Sequence, residues 1–391
     1  MTPTALINGR VLTPQGLKDG LAVIVDEGRI ADIRAVTDAP SDANREDLGG
    51  AILAPGFIDV QVNGGGGVLF NDDPSVEAIE AIGAAHRRFG ATGFLPTLIS
   101  DDLDVIARAI EATRRAIAKG VPGVLGVHIE GPFLSAARKG VHDASKFRVL
   151  DDRAMELLTS LGVGRTLVTL APETTTPDMI RRLANAGVRV AAGHTNATYA
   201  QMRGALDAGL AGFTHLFNAM SPLTAREPGA VGAALEHQSS WCGLIVDDRH
   251  VDPAVLRIAL RCKPLDRFML VTDAMPTVGS DKLSFVLQGR RIEVRDGVCV
   301  APDGALAGSN LDMATAVRNA MSMLEVSLEQ AVAMASAHPA QFLQLSDLGA
   351  IVTGARASLV LLDHELQVAR TWIDGVPSDV PARKSAPPAA S

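Results

Sequence analysis

Five short stretches carry side chains able to do chemistry, and each follows an apolar run. They are Asp59-Val60-Gln61-Val62-Asn63 leading into Gly64 to Gly67, His128-Ile129-Glu130-Gly131-Pro132, Gly193-His194-Thr195, Thr214-His215-Leu216-Phe217-Asn218 and Thr272-Asp273-Ala274. A carboxylate and two imidazoles with one position left open is a ligand set for a catalytic divalent metal. Such an ion lowers the pKa of a water it holds to about 7. A second carboxylate can then take and return a proton while an amide is hydrolysed. Asp273 suits that task better than a fourth ligand position. A lone histidine at a strand end is more often structural, so the metal reading rests on Glu130, His194 and His215 arriving together. His128 is expected to point away from Glu130 because strand side chains alternate. The run Gly64 to Gly67 lacks the Lys-Ser/Thr of a nucleotide P-loop and reads as a loop giving backbone access to the site.

These residues can converge only if their strands share one end. Between residues 54 and 345 strands alternate with helices, the signature of a parallel α/β fold. Eight strands are expected: Phe57–Val62, Gly93–Leu98, Val124–Ile129, Thr166–Ala171, Val188–Ala192, Gly212–Leu216, Trp241–Val246 and Phe268–Thr272. Helices are expected at Val76–Phe89, Leu103–Ala118, Ala154–Leu161, Pro177–Ala186 and Ala197–Ala208, with Leu311–Leu324 and Leu328–Ala337 closing the set. Eight units make a (β/α)₈ TIM-type barrel the economical reading, with an open doubly wound sheet as the alternative. In a barrel all five stretches fall on the C-terminal face, where active sites lie. Phe285 to Val300, with turns at Gly289 and Asp296-Gly297, reads as a β-hairpin inserted after strand eight, at about 283–300. Residues 1–53 and 346–375 share a texture of short strands split by turns, such as Leu21 to Val25 and Leu359 to Leu362, and are expected to form one small β-sandwich domain. Residues 376–391, rich in Pro, Ala and Ser, read as a disordered tail.

Composition narrows the function. The length of 391 residues suits a barrel of about 250 plus an accessory module. The net charge of −8 argues against a nucleic-acid partner, though a few local cations could hold one phosphate. Cys242, Cys262 and Cys299 form no disulfide framework, and no apolar run reaches a membrane span. A cytoplasmic enzyme without a membrane partner is expected.

The motifs, taken in order, resemble the N-acetylglucosamine-6-phosphate deacetylases of the amidohydrolase superfamily. The resemblance is carried by Pro55 to Asp59, Asn63 to Gly67, His128 to Phe133, Lys139 to His142, Leu170 to Glu173, Ala192 to Thr198, Thr214 to Met220, Arg226 to Gly229 and Val271 to Ala274. It implies that Glu130, His194 and His215 hold one divalent metal per subunit, zinc first, with iron(II) or another ion fitting the same ligands. It implies that Asp273 is the general base and then acid, and that His142 donates to the acetyl carbonyl. Asn218, Ala219, Arg226 and His250 would hold the sugar phosphate, and a homodimer partner would complete that site. Many amidohydrolases carry His-x-His after strand one and a lysine on strand four to hold a second metal. Here Gln61 and Asn63 stand instead, and Thr166 to Ala171 has no lysine, so one metal is expected, with Gln61 touching the attacking water. His86, His237, His338 and His364 read as structural. The alternatives are an N-acetylgalactosamine-6-phosphate deacetylase, a D-aminoacylase-like enzyme, or an inactive sugar-phosphate-binding barrel.

Overall fold

The computed structural model describes residues 2–378. Eight parallel strands run in chain order around one sheet, from Phe57–Val62 through Ala91–Ile99, Gly126–Glu130, Arg165–Leu170, Arg189–Ala192, Gly212–Phe213 and Trp241–Leu244 to Phe268–Leu270. Almost every residue of these strands is buried. That is the condition of a parallel sheet with helices outside and side chains filling the inside. The helices begin where the sequence offers caps. Ser75 Oγ accepts from Ala78 N ahead of Val76–Arg87, and Thr198 with Gln201 forms a capping box ahead of Tyr199–Asp207.

The first and last strands meet through the residues that follow strand eight. Asp273 N donates to Gln61 O at 3.0 Å, and Asn63 N to Ala274 O at 2.9 Å. Below them the fully buried Asp59 carboxylate accepts from Gln61 N at 3.1 Å, from Thr272 N at 3.4 Å and from the Thr272 hydroxyl. One side chain thus bridges the seam of the barrel.

The expected hairpin is larger than the sequence suggested. It is a four-stranded antiparallel sheet of Ser284–Leu287, Arg290–Arg295, Val298–Val300 and Leu306–Ser309. Its last strand returns to the barrel, where Ser309 N donates to Asp273 O at 2.9 Å and Met275 N to Ser309 O at 3.0 Å. Gly308 sits in that strand with φ +64°, and a Cβ there would lie 2.5 Å from Met275 Cε and 2.9 Å from Asp273 O.

Both termini build the β module beside the barrel. One sheet holds Arg29–Ala35, Leu21–Asp26, Thr4–Ile7 and Asn44–Asp47. The other orders Val376–Pro377, Val368–Ile373, Leu359–Leu362, Ile52–Pro55, Arg10–Thr13 and Gly16–Lys18. Ile52–Pro55 pairs antiparallel with Leu359–Leu362, which joins the two ends of the chain. Leu6, Val23, Ile30, Leu53, Leu359 and Trp372 form the module's apolar core. Val376–Pro377, expected to belong to the tail, is a strand; the remainder of the expected tail, from 379 onward, lies outside the described residues. Among the described residues no helix is long and apolar enough to cross a membrane.

Candidate metal and catalytic site

Glu130 ends the third strand, His194 follows the fifth, His215 follows the sixth, and Asp273 follows the eighth. His194, His215 and Asp273 have φ of +47°, +31° and +52°. Left-handed backbone costs a non-glycine residue roughly 1–2 kcal/mol. The chain accepts that cost three times, each time where the strand breaks to turn a side chain inward.

Glu130 Oε1 lies 3.1 Å from His194 Nε2 and 3.0 Å from His215 Nε2, and the two nitrogens are 3.1 Å apart. Ligands around a tetrahedral ion at about 2.0–2.2 Å stand roughly 3.3–3.6 Å from one another, so the three atoms already sit near the corners of such a site. The tautomer of His194 adds a chemical test. Its Nδ1–H donates to the Arg138 carbonyl at 3.0 Å, which leaves Nε2 with a bare lone pair facing a carboxylate oxygen. Two acceptors facing each other call for a cation between them, and the donor set fits a divalent metal. Burial opposes ionisation of Glu130, but the close approach of the His194 and His215 rings prevails and holds its carboxyl well below the usual range. Burial likewise opposes charge on His215, yet its hydrogen bond to Glu130 and that carboxylate's charge raise its pKa.

Asp273 is buried beside them. Burial first, and then the charge of Glu130, push its pKa up to about 6. Asn63 Nδ2 donates to Asp273 Oδ1 at 2.6 Å. Gln61 Nε2 lies 3.1 Å from the same oxygen and 3.1 Å from Glu130 Oε2, so one amide group ties the two carboxylates together. Gln61 therefore stands behind the carboxylates and not in the wall of the cavity.

That cavity, of ≈160 Å³, is lined by Glu130, His142, His194, His215, Asn218, Ala219, His250 and Asp273, with Ile99, Val141, Ile245, Met275, Leu306 and Gly308 as its apolar part. A space of that size admits at least one end of a small molecule. His142 is buried, and that burial keeps its pKa well below the usual range. His250 Nδ1 lies 2.6 Å from Asp247 Oδ2. Burial works against the charge of Asp247, but the hydrogen bonds from His250 outweigh it and lower the pKa. Arg226 is not in the cavity wall; it is exposed on the loop between Met220 and Gly229.

One expectation is corrected. His128 does not point away from Glu130: residues two apart on a strand share a face, so both enter the barrel. His128 lies one layer lower, its Nδ1–H donating to Val60 O at 3.0 Å and its Nε2 meeting Thr169 Oγ1 at 2.8 Å. His86 and His338 have structural partners, the Gly64 carbonyl at 2.9 Å and the Phe268 carbonyl at 2.7 Å. The sequence reading passed over Ser100 and Asp247. Both follow barrel strands, the second and the seventh, and the strand-end rule applied to all eight strands would have found them.

Fold and site together define a hydrolase barrel built around a divalent metal. The chain belongs to the amidohydrolase family, whose profile matches residues 52–377, and a NagA composite domain profile matches residues 4–53. It is 42% identical to an N-acetylgalactosamine-6-phosphate deacetylase of Shewanella sp. (strain ANA-3), over 94% of this chain and 93% of that protein. It is 37% identical to the N-acetylglucosamine-6-phosphate deacetylase of Homo sapiens, over 94% of this chain and 89% of that one. Among solved structures, the N-acetylglucosamine-6-phosphate deacetylase of Pasteurella multocida superposes with a TM-score of 0.93 at 34% identity, covering 96% of this chain and 99% of that one. A mutant of the Mycobacterium smegmatis enzyme in complex with N-acetyl-D-glucosamine-6-phosphate gives a TM-score of 0.87 at 33% identity, covering 96% and 98%.

Proposed function

We propose that the protein hydrolyses the N-acetyl group of N-acetylglucosamine-6-phosphate, giving glucosamine-6-phosphate and acetate. The observation that carries this reading is the buried set Glu130, His194 and His215 with Asp273 beside it, at the mouth of a barrel similar to solved deacetylases of that sugar phosphate. Glu130, His194 and His215 would hold the metal, zinc by preference for this nitrogen and oxygen set, with iron(II) as the alternative. Bound there, the ion supplies Lewis acidity toward the amide carbonyl and the attacking water.

The remaining chemistry belongs to the side chains. Asp273 Oδ1 is held by Asn63 and Gln61, which leaves Oδ2 to take a proton from the attacking water. A pKa raised to about 6 lets the same carboxyl pass that proton to the departing amine nitrogen. The C–N bond breaks as water's oxygen joins the acetyl carbon. One water proton reaches the nitrogen through Asp273, and the second, shed as the acid ionises to acetate, leaves the released amine as an ammonium, so atoms and protons balance. His142 would donate to the acetyl oxygen as charge builds there. Asn218, Ala219 and His250 line the cavity where the sugar would lie. Arg226 would bind phosphate with its guanidinium fork, and its place outside the cavity of its own chain supports a homodimer in which a neighbour completes the phosphate site. Three unpaired cysteines support a cytoplasmic setting.

A second reading, the galacto epimer of the same substrate, is favoured by the 42% identical relative. The test is deacetylation of both epimers' 6-phosphates and of the unphosphorylated sugar, before and after chelation and metal return. Chelator-sensitive turnover with the gluco 6-phosphate preferred is expected. Preference for the galacto epimer would exchange the two readings, and no turnover with any divalent metal restored would overturn both.

A further inference from the structure

His142 and His194 are neighbouring rings, with centroids 4.3 Å apart, yet only His194 belongs to the group that could hold a metal. The backbone explains the difference. The Nδ1 of His194 faces a carbonyl, so it must carry the proton and leave Nε2 bare. His142 Nδ1 faces the opposite kind of group. The backbone N–H of Ser100 donates to it at 3.3 Å, and Ser100 Oγ lies 2.7 Å from the same nitrogen. An amide N–H can only donate, so this nitrogen must offer its lone pair. In a neutral ring the proton then sits on Nε2.

Ser100 is itself held firmly. It is the first residue after the second barrel strand and is fully buried. Asn71 brackets the preceding residue, donating to Ile99 O at 3.0 Å and accepting from Ile99 N at 2.9 Å. Gln288, on the turn after the first strand of the inserted sheet, donates to Ser100 O at 3.2 Å. Gly131, next to the proposed metal ligand Glu130, leaves the space: a Cβ there would lie 2.3 Å from Ser100 Oγ.

We propose that Ser100 is a positioning residue that fixes His142 as the Nε2–H tautomer, turning that ring into a hydrogen-bond donor toward the acetyl oxygen and keeping it from becoming a metal ligand. This rests on the role given to His142 above. Two adjacent imidazoles are assigned opposite tasks by opposite backbone partners, a carbonyl for the ligand and an N–H for the donor.

The test uses the full-length, metal-loaded protein with ¹⁵N-labelled histidine. Wild type is expected to give one ring with a protonated Nε2 and a bare Nδ1 whose signals vanish in His142→Gln. Ser100→Ala keeps the backbone donor but loses the hydroxyl. With only the longer 3.3 Å backbone contact left to favour a bare Nδ1, it is expected to admit a minor Nδ1–H population and to lower kcat by about five- to tenfold, the worth of one hydrogen bond, with KM within about twofold and metal content unchanged. A wild-type ring protonated on Nδ1 overturns the proposal, as does a Ser100→Ala variant whose spectrum and kcat both match wild type. If no N-acetylated sugar phosphate is turned over, the functional reading fails separately, and the spectrum still decides the tautomer.

Discussion

Asp273 lines the cavity with one oxygen engaged by two amide side chains, and its behaviour should follow from that asymmetry. Asp273→Asn keeps the shape but loses the base, so kcat should fall by roughly 10²–10⁴. Calorimetry should still register N-acetylglucosamine-6-phosphate binding to the variant; undiminished turnover would remove Asp273 from the mechanism. The pH profile carries a second prediction. The base must be ionised, so kcat/KM falls as pH drops through its pKa, which lies at about 6 before the pull of a bound cation lowers it. Asn63 favours the ionised form, so Asn63→Ala should move the acid limb to higher pH, and a limb that stays in place would deny the clamp. Much at this scale was legible. Glu130, His194, His215 and Asp273 stood out because chemically loud residues followed apolar runs. Ser100 and Asn63 were quieter, because a serine or an amide declares no task until its partner's position is known.

Elements were legible to the extent that burial shaped them. Strands covered on both faces carry mainly apolar side chains, as Leu167, Val168 and Leu170 do in Arg165–Leu170, and all eight barrel strands could be read from such runs. The C-terminal ends could be read for the first and fifth strands, at Val62 and Ala192, but not for all. Strands expected to continue to Leu216 and Thr272 stop at Phe213 and Leu270, because the backbone soon turns left-handed at His215 and Asp273. Asn44–Asp47 also escaped notice: its residues carry no apolar alternation, and it is a strand because Thr4–Ile7 pairs with it. The inserted sheet makes a test of its own. Gly308→Ala would force a Cβ into Met275 and the Asp273 carbonyl at a φ that favours glycine. A loss of about 1–3 kcal/mol in urea melts is expected, with lower kcat as Asp273 shifts. A variant as stable as wild type would mean that the strand has slack.

For the whole molecule, closure of the barrel depends on a buried acid. Burial pushes the Asp59 pKa up to about 7, against hydrogen bonds from Thr272 and Gln61 that lower it. An unfolded aspartate titrates near 3.9, so the folded state binds the extra proton between those values. The resulting stabilisation is complete below about pH 4 and is lost as pH rises through about 7. Asp59→Asn lacks that titration, so its stability relative to wild type should rise between pH 5 and pH 8 in urea melts. A constant difference would show that Asp59 is ionised throughout.

The pairing of Ile52–Pro55 with Leu359–Leu362 also sets a timetable. On a ribosome adding about 5–20 residues per second, the earlier strand emerges roughly 15–60 s before its partner exists. For that interval the nascent chain presents an apolar strand with an open edge, the kind of surface that other chains can template on. A premature stop anywhere ahead of Leu359 would make the exposure permanent, so truncated products should be recovered in inclusion bodies or bound to chaperones even when the barrel strands are all present.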